Sequence, residues 1–108
     1  MPKKKKADLL LPLGPHVWKV IFFDELESEG MGIDGRCDSD AYEIHVVRRE
    51  SAEHMADTVL HELGHAIEYA YGWETSENRV QTISSAFLQA LRPWLSDFLA
   101  RVGEAAER

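Results

Sequence analysis

The chain has 108 residues, enough for one small core and too few for two. An apolar fraction of 44% and a charged fraction of 29% fit a soluble globular domain and exclude a disordered one, and no run approaches the roughly 18–20 apolar residues of a membrane span. Net charge is −7 although four lysines crowd positions 3–6, so the body is acidic, which argues against a nucleic-acid backbone as the main partner.

The lysines precede Leu9-Leu10-Leu11, but Asp8, Pro12, Gly14 and Pro15 interrupt the apolar stretch a secretory signal would need. The single Cys37 cannot form an internal disulfide. Both points lead to the expectation of an intracellular, cytoplasmic protein. Residues 1–15 read as a basic flexible tail, and 16–108 as a single domain.

His16 to Phe23 is rich in β-branched and aromatic residues and predicts a strand. Asp24 to Gly30 is an acidic loop. Gly32 to Arg36 or Cys37 predicts a weak second strand, and Asp38-Ser39-Asp40 a turn. Ala41 to Arg48 alternates, with Tyr42, Ile44 and Val46 on one face and Glu43 and His45 on the other, as in a half-buried strand. His45 is expected to be exposed there. The short break suggests a hairpin joining the last two strands.

The period then changes. Ser51 can cap a helix running from Ala52 to about Tyr71, with Met55, Val59, Leu60, Leu63, Ile67 and Ala70 at helical spacing and Gly72 to end it. Thr75 or Ser76 can cap a second helix to about Leu91, with Val80, Ile83, Phe87 and Leu91 as its buried stripe. Pro93 kinks this helix or starts a third one, whose apolar face would be Trp94, Leu95, Phe98, Leu99 and Val102. Strands followed by helices predict an α+β domain: a small antiparallel sheet of about three strands, then two to three helices.

Residues 61–65 are His-Glu-Leu-Gly-His, inside the first predicted helix. Residues i and i+4 share a helix face, so His61 and His65 can present both imidazoles to one metal ion. Glu62 is placed to take a proton from a water that the metal activates, the role of a general base. A catalytic zinc needs a third protein ligand. Glu77, Glu74, Cys37 and His45 are the candidates. Glu77 is best placed, because a short turn would bring the first turn of the second helix beside the last turns of the first. His54 lies too far along the helix. Gln81 and Glu68 are candidates to fix the imidazole tautomers. Tyr69, Tyr71, Arg79 or His45 could stabilise an oxyanion, and the sequence does not choose among them.

The segment Thr58-Val-Leu-His-Glu-Leu-Gly-His-Ala-Ile, followed by Ser76-Glu-Asn-Arg-Val-Gln-Thr-Ile-Ser, resembles the compact HExxH zincin metallopeptidases, gluzincin-like, of the phage and prophage type and of the ImmA/IrrE-like domain. The resemblance covers roughly residues 16–92, including the run from Gly35 to Val47. It implies a minimal zincin-like metallopeptidase domain with one Zn2+ per chain, His61, His65 and Glu77 as ligands, and Glu62 as general base. It also implies a substrate held as an added β-strand along an edge within 31–48. Two departures stand out. Gln81 occupies the place where many glutamate zincins carry an acid, and the chain is far smaller than the well-known peptidases.

The resulting expectation is a zinc-dependent metallopeptidase cleaving a peptide bond in a specific intracellular protein, with no membrane partner. The missing second lobe points to a narrow substrate, an accessory protein or a homodimer. Two alternatives are a non-enzymatic acidic interaction module that keeps a zinc site, and a zinc amidase or deformylase-like hydrolase using Cys37.

Overall fold

A computed structural model describes residues 9–72, 74 and 76–107. Six strands precede three helices: β1 (Leu9–Leu13), β2 (His16–Phe23), β3 (Glu27–Ser28), β4 (Met31–Gly32), β5 (Gly35–Asp38), β6 (Glu43–Val47), α1 (Ala52–Tyr71), α2 (Glu77–Leu91) and α3 (Ser96–Ala106), with a 3-10 turn at Arg92–Trp94. The architecture is α+β, as expected. Among the described residues no helix is long and apolar enough to cross a membrane.

The sheet differs from the expectation in two ways. It has four strands in the order β1-β2-β6-β5, and it is mixed rather than antiparallel. β1 pairs antiparallel with β2, and β5 with β6, but β2 and β6 run parallel, with Val20 opposite Ile44 and Phe22 opposite Val46. Parallel neighbours need a long crossover, and residues 24–42 supply it. That crossover carries the small β3–β4 hairpin, whose first strand lies in the predicted acidic loop and whose second reaches Gly32, where the weak strand was expected to begin; that strand is β5, from Gly35.

The added strand is β1, in a stretch read as tail. Leu9, Leu11 and Leu13 alternate toward the core, while Leu10 and Pro12 face out. Gly14 turns the chain at φ 61°, in the turn position where glycine is favoured, and Leu13 pairs with His16. Pro12 is tolerated because β1 is an edge strand. Residues 1–8, the remainder of the predicted basic tail, lie outside the described residues.

The inner face of the sheet packs against α1 and α3. Trp18, Ile44, Val46, Val59 and Val102 are the largest fully buried side chains. The caps act as predicted. Ser51 Oγ accepts from the His54 N–H, Ser76 Oγ accepts from the Arg79 N–H, and Gly72 ends α1 at φ 69°. Pro93 lies in the 3-10 turn that leads into a separate α3.

Of the stripe predicted for α2, only Val80 is buried. Val80, Ser84 and Leu88 face inward, whereas Ile83, Phe87 and Leu91 are exposed. With Leu60, Leu63 and Ile67 these three line an open groove of about 460 Å³ between α1 and α2.

Candidate metal centre

The site is built on the face of α1 that meets the start of α2. His61 and His65 lie one turn apart, with ring centroids 5.0 Å apart. Gly72 breaks α1, and Ser76 caps α2 so that Glu77 is its first residue. The Glu77 carboxylate then spans both histidines: Oε1 contacts His61 Nε2, and Oε2 lies 2.9 Å from His65 Nε2. One donor atom from each of the three residues falls within 4.8 Å of the others. Two imidazole nitrogens and a carboxylate oxygen suit zinc in both chemistry and number.

The outer nitrogens of the two imidazoles are treated differently. His65 Nδ1 donates to Glu68 Oε1 at 2.6 Å, one turn further along α1. His61 Nδ1 is buried and has no hydrogen-bond partner among the described residues. Gln81, the other predicted tautomer-fixing residue, points elsewhere. Its amide donates to Asp57 Oδ2 at 3.3 Å and to Ser85 Oγ at 2.9 Å, tying α2 to the first half of α1.

Glu62 faces the sheet and is buried beside the two histidines. Burial raises its carboxyl above the usual range; the neighbouring His61 and His65 oppose that shift, and Glu77 adds to it. Room for Glu62 comes from Gly35. A Cβ on Gly35 would stand 2.6 Å from Thr58 Cγ2, 2.8 Å from the His45 carbonyl oxygen and 3.3 Å from Glu62 Cγ. Edge strand β5 therefore passes directly against the helix at Glu62. Gly64 does the same for α2: a Cβ there would meet Val80 Cγ1 at 2.8 Å. Neither glycine stood out in the sequence as a site residue. The available signal was a glycine inside the helix between two prospective ligands, where it costs about 1 kcal/mol relative to alanine and so implies a packing reason.

The other third-ligand candidates are not brought to the histidines. Glu74 is exposed and outside the group. Cys37 also stays outside it, and burial pushes its thiol up to about 12, with the carboxylates of Glu62, Asp38 and Glu68 adding to the effect. His45 is buried, contrary to expectation. Ile44 and Val46 face the core, so the alternation turns His45 to the opposite face of the sheet. There it clusters with Asp38 and Glu43. Arg36 Nε donates to His45 Nδ1 at 2.9 Å, so the imidazole proton sits on Nε2 and is given to Glu43 Oε1 at 2.9 Å. With both nitrogens engaged, this second cluster offers no free imidazole lone pair to a metal. His54 lies 3.5 Å from Asp34 Oδ2 and takes no part in the site. Among the residues considered for oxyanion stabilisation, Tyr69 is exposed and packs edge-on against Trp18.

No protein-family model matches this chain, and comparison with curated proteins and with solved structures finds no match.

Proposed function

We propose that this chain is a zinc-dependent peptidase of minimal zincin-like design, hydrolysing a peptide bond in a specific intracellular protein or peptide. The observation that supports this most is the convergence of His61 Nε2, His65 Nε2 and the Glu77 carboxylate next to the buried Glu62. Zinc held by that set supplies Lewis acidity, polarising a carbonyl oxygen and easing the loss of a proton from water.

The chain's own residues do the rest. Glu62 takes the proton from the attacking water and passes it to the departing amine nitrogen. Gly35, having no side chain, leaves room for Glu62 between α1 and β5. β5 provides a way to hold the substrate. The Asp34 carbonyl accepts from the Val47 N–H at 2.8 Å, so the alternation of the ladder turns the backbone groups of Gly35 and Cys37 away from β6. An extended substrate can pair with those groups as a fifth strand and pass in front of Glu62.

The test compares wild type with Glu62→Gln. Both proteins, reconstituted with zinc, are assayed for hydrolysis of a mixed fluorogenic peptide library and for metal content. The variant is expected to keep about one zinc per chain and to lose cleavage by about 10²-fold or more. Equal cleavage by both proteins sinks the reading.

A further inference from the structure

The two histidines of the site are not equivalent, and the difference lies in what holds their outer nitrogens. His65 is held by the outer nitrogen of its ring: Nδ1 meets Glu68 at 2.6 Å, and Nε2 faces the metal position, 2.9 Å from Glu77 Oε2. We infer that Glu68 is the positioning residue of the metal centre: it fixes His65 as the pre-oriented imidazole donor and leaves His61 as the weaker one. This rests on the zinc reading above.

A hydrogen bond from Nδ1–H to a carboxylate commits the ring proton to that nitrogen. The lone pair is then on Nε2, where Glu77 and the metal position lie. Glu68 is three residues beyond His65 on the same helix, so its reach is set by α1 itself and not by a loop. Its side chain is only 15% exposed and borders the apolar groove formed by Leu63, Ile67 and Val80. A charge-assisted hydrogen bond in such surroundings is stronger than one in water.

His61 has the opposite arrangement. Its Nδ1 is buried and has no partner among the described residues, while its Nε2 contacts Glu77 Oε1. The hydrogen-bonding choice for a neutral His61 is to keep the proton on Nε2 and give it to Glu77. To bind metal through Nε2 the proton must move to Nδ1, where no group among the described residues receives it. Metal affinity therefore depends more on the half of the site that Glu68 organises.

The experiment measures zinc dissociation constants by competition with a chromophoric chelator. It uses wild type, Glu68→Gln, Glu68→Ala, His61→Ala and His65→Ala, and adds visible spectra of the cobalt-substituted forms and thermal melts of the metal-free proteins. Glu68→Ala is expected to weaken zinc about 10–100-fold. Glu68→Gln should fall between it and wild type, because the amide oxygen still accepts from Nδ1 but carries no charge. The cobalt bands should shift in the Glu68 variants, and His65→Ala should lose more affinity than His61→Ala. Should Glu68→Ala fail to fold, the nearly isosteric Glu68→Gln carries the test. Tight wild-type binding with unchanged constants and spectra in the Glu68 variants overturns this inference and spares the zinc site. Failure of wild type to bind zinc overturns both.

Discussion

Gly64 and Val80 set the distance between the two helices of the site: a Cβ on Gly64 would stand 2.8 Å from Val80 Cγ1. Gly64 lies between the two histidines, and Val80 is one turn beyond Glu77. The missing side chain therefore lets α2 come close enough for one carboxylate to reach both imidazoles. Gly64→Ala gains about 1 kcal/mol of helix propensity but forces α2 outward. The expected result is a melting temperature close to wild type and zinc binding weakened about 10-fold, since small displacements of a ligand are costly. Adding Val80→Ala should restore most of that affinity, and a double-mutant cycle of zinc constants measures the coupling. Independent effects of the two changes would show that the contact does not govern the site.

Zinc bound at the proposed site should also stabilise the fold, because His61, His65 and Glu77 come from two separate helices. A ligand at 100 times its dissociation constant adds about 2.7 kcal/mol. In a domain of this size that raises the melting temperature by roughly 10–20 °C. Thermal melts with zinc, and again after excess chelator, check this. The shift should be sharply reduced in Glu77→Ala, and no shift in wild type would contradict the site.

Asp34 gives a pH dependence away from the metal centre. The Arg49 guanidinium donates to Asp34 Oδ1 at 2.5 Å, and that bond holds the carboxyl below its ordinary value of 3.8; burial opposes the shift and nearby His54 supports it. A folded-state value below the unfolded one means the stabilisation is present above the unfolded value and is lost as pH falls through the folded one. Both side chains are about half exposed, so solvent screening keeps the effect under about 1 kcal/mol. Urea unfolding should find Asp34→Asn slightly less stable than wild type near neutral pH. The gap should close at the most acidic pH at which both proteins remain folded. A gap that widens with acid would reverse the assignment.

The face that α2 buries can be tested by truncating adjacent residues. Leu88 is buried, and Phe87 is more than half exposed. Leu88→Ala is expected to cost about 2–5 kcal/mol, and Phe87→Ala less than about 1 kcal/mol. Denaturant titration of both variants decides it. A larger loss for Phe87→Ala would mean that α2 packs on its other stripe in solution.

What the sequence determined by itself was local. The strand His16–Phe23, the helix Ala52–Tyr71, the caps Ser51, Ser76 and Gly72, and the shared face of His61 and His65 all follow from backbone geometry within a few residues. What only the tertiary structure decided involved partners far apart in the chain. α2 carries two helical apolar stripes, one through Val80 and Leu88 and one through Ile83, Phe87 and Leu91. Both have the right period, and packing against Gly64 selected the first. The same holds for the parallel pairing of β2 with β6, the recruitment of Leu9–Leu13 as a strand, and the turning of His45 toward Arg36 and Glu43. It holds too for the acid that meets the histidines, since spacing put Glu77 near them while helix packing aligned its carboxylate. Local hydrogen bonds and periodicity fix an element and its faces; which face is buried, and against what, is set by the competition among all segments for one small core.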